Sequence, residues 1–290
     1  MAALCSAVVL IGAVGVGIAL FNGQGGEVTT GTVRATAVDA LTMRDAPIQA
    51  NDYRWGQVAV YPVIGDGTLY PIPAGLAGEL WAAFMRMGTP GFVADRMVAL
   101  RIAYTPSNET IAAVERVSVE PSQWMLTLNL AWELDRAGYL RVLIHEYAHL
   151  LTFDDEQVDA DAQVCVTIVM QEGCLRVGAD LHRFDARYWA PYGSQAPDPD
   201  SDSSELAWSM YVRHSADFAT PYAATNVAED FAETFAEFVI RERPDPASGT
   251  WARKILFLWD EPAYVEIRER IRAWYADDLP TPQPPSDLQR

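Results

Sequence analysis

Two of the chain's four histidines stand four residues apart in RVLIHEYAHLLTF, residues 141–153, and a glutamate directly follows the first. Four residues is slightly more than one helical turn, so on an α-helix His145 and His149 project from one face and can converge on a single ion. Glu146 then lies about 100° round the helix, where its carboxylate reaches a metal-bound water without itself being a ligand. The pattern is H-E-x-x-H, and the chemistry is metal-assisted hydrolysis on Zn2+ with Glu146 as general base. A five-residue pattern also arises by chance. Here, however, Leu143, Ile144, Tyr147, Ala148, Leu150 and Leu151 make the segment apolar nearly all round, which marks a buried helix. Buried imidazoles and carboxylates need partners or a metal, because an unpaired polar group is costly.

A catalytic zinc takes three protein ligands and keeps a fourth position for water. The spacing of one zinc-protease class would need Gly at 152 and His at 155, where this chain has Thr152 and Asp155. The stronger candidate is NVAEDFAETFAEF, in which Glu229, Glu233 and Glu237 recur every four residues and share a helical face. Glu229 is read as the third ligand. Glu233, one turn on, is read as the carboxylate that accepts the free N–H of a ligating imidazole and fixes its tautomer. A purely structural reading is that Asn226 and Glu229 form a capping box at the helix start.

HEYAH followed by PYAATNVAEDFAETFAEF resembles the gluzincin metallopeptidases, in particular the anthrax lethal factor catalytic-domain type. The resemblance implies an α+β zincin-like fold with an active-site helix, a small antiparallel sheet and a C-terminal helical subdomain. It implies zinc held by His145, His149 and Glu229, Glu146 as the catalytic carboxylate, and an assisting role for Tyr222, seven residues before Glu229. The long interval between the two motifs departs from the family, so no substrate preference is carried over. Two other readings stay open: a zinc-binding protein without turnover, and a hydrolase of a non-peptide amide.

Several elements must position these groups. Leu76, Leu80, Phe84 and Met87 predict a helix over 74–87, closed by GTPG. RMVALRIAYT, AAVERVSVE and WMLTLNLAW read as strands, the last with strict alternation from Trp124 to Trp132. That last strand is expected to be the edge on which an extended peptide or protein substrate pairs, with Thr127 and Asn129 as substrate-binding residues. Asp135 is placed to cap the histidine helix. Helical patterns return in ELAWSMYVRH, in the Glu229 segment, and in KILFLWDEPAYVEIRERIRAWY, which Pro262 kinks or divides.

Lys and Arg number 21 against 39 Asp and Glu, a formal charge of −18, which argues against a nucleic-acid partner. Much of the acid falls in FDDEQVDADAQ and APDPDSDSSE, read as solvated loops. Residues 2–21 carry no charge and are long enough to cross a bilayer, so residues 1–22 are read as an uncleaved membrane anchor or a signal segment. No basic residue precedes them, which leaves orientation open. Either way the catalytic domain is expected outside the cytoplasm, tethered or secreted. In such a protein Cys165 and Cys174 form a local disulfide; in a cytosolic one they would be two thiols. The remaining boundaries are a linker over 23–54, the metallopeptidase domain over 55–276 and a disordered Pro-rich tail over 277–290.

Overall fold

The computed structural model describes residues 46–89, 91–118 and 122–282. The apolar segment at 2–21 therefore lies outside the described residues. Among the described residues no helix is long and apolar enough to cross a membrane.

The fold is mixed α+β. Strands β1 (Ile48–Asp52), β2 (Gly56–Ile64), β4 (Met97–Ala103), β5 (Ala112–Ser118) and β6 (Gln123–Asn129) form one sheet in the order β1-β2-β4-β6-β5, with β3 (Thr68–Leu69) paired to β2. The expected small antiparallel sheet is thus larger and mixed, since β4 and β6 run parallel. The reason is the route of the chain: after β4 it passes to the outer position, forms β5, and returns antiparallel to it to fill the gap as β6.

That route also corrects the edge. The strand beginning at Trp124 is interior, and among the described residues the edges of the sheet are β1 and β5. Trp124, Leu126 and Leu128 face the main core while Met125 joins a second apolar cluster around Trp55, Val58 and Val60 on the other side. Thr127 and Asn129 are fully buried and occupied. Thr127 Oγ1 accepts from Arg101 Nε at 2.8 Å, and the Asn129 side chain bonds the backbone of Thr105 and Asn108. Neither can meet a substrate. The alternation that suggested a half-exposed strand reports two cores of different depth.

The helices are α1 (Leu76–Met87), α2 (Phe92–Arg96), α3 (Arg136–Thr152), α4 (Asp180–Tyr188), α5 (Ser204–His214), α6 (Val227–Ile240), α7 (Thr250–Trp259) and α8 (Pro262–Tyr275). Pro262 separates α7 from α8 and occupies the first turn of α8, where a missing N–H costs nothing. α3 carries the histidines. Asp135 caps it by accepting from Gly138 N at 2.8 Å, and Leu143, Ile144, Tyr147, Ala148 and Leu150 are all at most 1 % exposed. α6 packs against it and is buried at every residue except Glu229.

Both domain boundaries move outward. The expected linker ends too late, because β1 pairs with β2 and Ile48 and Ala50 pack on the second cluster. Five residues with one apolar face are too few to stand out from a Gly/Thr-rich run. The expected tail begins too early, since Asp278 pairs with Arg136 at 2.9 Å and Leu279 packs on the core; residues 283–290 lie outside the described residues.

The acidic stretch after α3 is organised. β7 (Val158–Asp159), β8 (Val169–Met170) and β9 (Gly173–Leu175) form a small sheet, tied by a disulfide between Cys165 and Cys174. Gly173 is required there: its φ is +135°, and a Cβ would stand 2.6 Å from the Asp159 carbonyl oxygen.

Asp135→Ala removes the cap of α3 and should cost about 1 kcal/mol. For a domain of this size the thermal midpoint should fall by about 2–4 °C, read by calorimetry. An unchanged midpoint would show that the cap contributes nothing to the start of the histidine helix.

Candidate metal centre

His145 and His149 reach the surface of α3 one turn apart, and the first turn of α6 brings Glu229 to meet them. His145 Nε2 and His149 Nε2 are 3.1 Å apart, and Glu229 Oε2 lies 3.0 Å from the first and 3.5 Å from the second. Ligand atoms about 2.0–2.1 Å from a tetrahedral zinc are separated from one another by roughly 3.3 Å. The three atoms thus stand at the corners that a tetrahedral ion requires, and His145, His149 and Glu229 form a set able to hold one. Glu229 Oε2 is buried, close to both imidazoles, yet aligned with neither as a hydrogen bond. Such an acceptor is costly unless a cation completes it.

Asn226 does cap α6, accepting from Glu229 N at 2.9 Å, so the capping reading is half realised. The Glu229 carboxylate turns to the histidines. The start of α6 is further pinned by Asp230, which is fully buried with Lys254 Nζ at 2.6 Å and receives Trp189 Nε1 at 2.7 Å. Burial pushes the Asp230 pKa up and the Lys254 pKa down.

Glu233 Oε1 lies 2.9 Å from His145 Nδ1, the place expected of an orienting carboxylate. Arg141 and Thr220 hold the same group: Arg141 Nη2 donates to Oε2 at 2.9 Å and Thr220 Oγ1 at 2.6 Å. Sequence reasoning missed both. Arg141 was legible, being one turn before His145 on the same face; Thr220 lies in a loop with no period. Burial alone would raise the Glu233 pKa, but Arg141 and His145 outweigh it and hold it down at about 2. For His145 burial lowers the pKa, but contacts with Glu229 and Glu233 outweigh it and hold it up at about 10. Glu229 is held well below the usual carboxylate range, its burial outweighed by the two imidazoles.

Among the described residues no carboxylate hydrogen-bonds His149 Nδ1. Its ring stacks on Phe153, with centroids 5.8 Å apart and planes 5° from parallel. Asp155 stands apart from the three ligands, paired with Arg116 at 2.6 Å.

Glu146 is 5 % exposed and its Oε2 accepts from Val114 N, on edge strand β5, at 2.8 Å. Burial raises its pKa against the lowering influence of the two histidines. Tyr222 opens a 3₁₀ turn, Tyr222–Ala224, with its ring centroid 5.9 Å from that of His145 and half its surface exposed. Desolvation at the hydroxyl, then the charges of Glu229 and Glu146, push its pKa up.

No family model matches the chain, and no curated protein matches it in sequence. Among solved structures, a candidate zinc-binding metallo-peptidase from Bacteroides caccae is similar over 71% of each chain, at 15% identity and a TM-score of 0.27. A likeness that distant assigns no activity.

The pH dependence of the metal-free chain follows from these groups. His145, held at about 10 against 6.5, contributes stability that is complete below pH 6.5 and lost as pH rises toward 10. Glu233, held at about 2 against 4.5, contributes stability present above pH 4.5 and lost as pH falls toward 2. Through this pair the melting temperature should be highest between these limits and fall on either side, as calorimetry across pH would show. Zinc requires His145 deprotonated, so its affinity should strengthen as pH rises, with proton release on binding. Chelator competition that found no pH dependence would remove His145 from the ligand set.

Proposed function

We propose that this chain is a zinc-dependent metallopeptidase, an endopeptidase with the gluzincin ligand set His145, His149 and Glu229, of the type to which the lethal factor catalytic domain belongs. The observation that carries the reading is the convergence of those three ligand atoms beside a fourth buried ionisable group, Glu146, which is not a ligand. A purely structural zinc site has no use for that carboxylate, and burying it is costly.

Zinc, when bound, supplies Lewis acidity, lowering the pKa of a water and polarising the scissile carbonyl. The residues of the chain do the rest. Val114 N–H fixes Oε2 of Glu146 and so its orientation, leaving Oε1 to accept the proton of the attacking water. Burial makes that carboxylate more basic than an exposed one. Glu146 then delivers the proton to the departing amine, closing the cycle. Tyr222 donates a hydrogen bond to the carbonyl oxygen as negative charge develops there. An extended peptide would pair with β5, the edge strand that carries Val114 and so lies beside Glu146. The disulfide and the apolar stretch at 2–21 support an extracytoplasmic enzyme, tethered through that stretch or secreted.

Glu146→Gln in the full chain should keep about one zinc, measured by elemental analysis, and lose most hydrolysis of a random peptide library. A variant that cleaves like the parent would sink the assignment of the base, and a parent that binds zinc but cleaves nothing would favour a binding protein. Tyr222→Phe should lower kcat by roughly ten- to a thousandfold at nearly constant KM and unchanged zinc content. An unchanged kcat would reduce Tyr222 to a packing residue.

A further inference from the structure

We propose that Arg141 is a positioning residue for the metal centre: it selects the tautomer of His145 and locks the two ligand-bearing helices at one distance. The inference rests on the zinc reading above and adds to it a residue that neither coordinates nor touches substrate.

The argument begins with the lone pairs of Glu233. A carboxylate has about four acceptor positions and, when ionised, no donor. Here Oε2 takes Arg141 Nη2 at 2.9 Å and Thr220 Oγ1 at 2.6 Å, while Oε1 faces Arg141 Nη1 at 3.4 Å and His145 Nδ1 at 2.9 Å. A group so fully engaged by donors can only accept from the imidazole. Nδ1 therefore carries the hydrogen, and in the neutral imidazole that zinc requires Nε2, the atom that faces His149 and Glu229, presents a bare lone pair. Without Arg141 the carboxylate keeps two donors, Thr220 and His145, but loses the planar fork that fixes its last torsion, so the acceptor that orients the imidazole is held less firmly.

Arg141 also bridges. Nη2 reaches Glu237 Oε1 at 3.0 Å, so one guanidinium spans two carboxylates a turn apart on α6. Its own position on α3 is one turn before His145. The bond therefore sets the spacing of the helices beside the point where His145 meets Glu229. A planar fork suits this task, and an ammonium does not reproduce it. Arg141 is a quarter exposed, Glu233 and Glu237 are under a tenth exposed, so the bridge is shielded from water for most of its extent.

The test is the zinc dissociation constant of the full chain, by chelator competition at a temperature where circular dichroism shows each variant folded. Loss of an orienting partner of a ligating histidine typically weakens metal binding by roughly ten- to a hundredfold, and Arg141→Met should fall in that range. Arg141→Lys keeps the charge but not the fork and should lose an intermediate amount. With cobalt in place of zinc, the visible absorption of Arg141→Met should shift, a change that general destabilisation does not produce. Binding as tight as the parent's in either variant, with an unshifted cobalt spectrum, overturns the proposal and leaves the metallopeptidase reading standing. A parent that takes up no zinc removes both. Should Arg141→Met fail to fold, Arg141→Lys alone decides, and parental affinity there also overturns the proposal.

Discussion

Everything near the centre follows from the cost of burying charge between two apolar helices. α3 and α6 are buried along most of their lengths, yet between them they hold His145, His149, Glu146, Glu229, Glu233, Glu237 and Arg141. Each such group taken out of water costs several kcal/mol unless it is paired. The chain answers with neutralisation in layers. Arg141 meets Glu233 and Glu237, Glu237 also meets Arg241, Glu233 meets His145, and Lys254 meets Asp230 behind them. The innermost layer is Glu229 and the two imidazoles, which face one another within 3.5 Å. That set is able to hold a metal ion.

The sheet serves that centre from one side only. β5 is an outer strand, and its Val114 N–H donates to Glu146 on the histidine helix. Two residues on, Arg116 reaches out from the same strand to the carbonyl of Phe153 at the end of α3, to the carbonyl of Glu172 in the disulfide-tied hairpin, and to Ser122. One strand thus holds Glu146, the end of α3 and the hairpin beside it. The interior strand β6 contributes packing, and its polar residues are spent on Arg101 and on the loop after β4.

The metal centre was largely legible in the sequence because its logic is local. His145, Glu146 and His149 obey helical spacing; Glu229 and Glu233 obey it again; Asp135 and Asn226 sit where caps belong. Pairing between strands is not local, which is why β6 was taken for an edge. Nothing in WMLTLNLAW distinguishes a strand with one wet face from a strand between two cores of unequal size. α4 shows a different failure: Leu181, Phe184 and Tyr188 are buried at helical spacing, but HRFDARYWAPYG reads first as a crowd of aromatics. The strands β7, β8 and β9 are two or three residues long and have no period to read. Arg141 was overlooked for want of a partner in view, since its carboxylates lie more than ninety residues away in the chain.

The small sheet after α3 bears on how this protein tolerates change in length. β7 is paired to β9, β9 is paired to β8, and Arg116 holds the carbonyl of Glu172 between them. The chain from Ala160 to Val164 runs between β7 and Cys165, which the disulfide anchors, with Val164 in solvent. Lengthening a loop whose ends are already held costs little, since each doubling adds only about 0.6 kcal/mol. New sequence can therefore enter ahead of Cys165 without moving His149, whereas a single residue added between Glu172 and Leu175 would shift the register against Asp159 and the backbone that Gly173 alone can approach. The same loop offers a place to join a tag or a second module while leaving His145, His149 and Glu229 in their original frame.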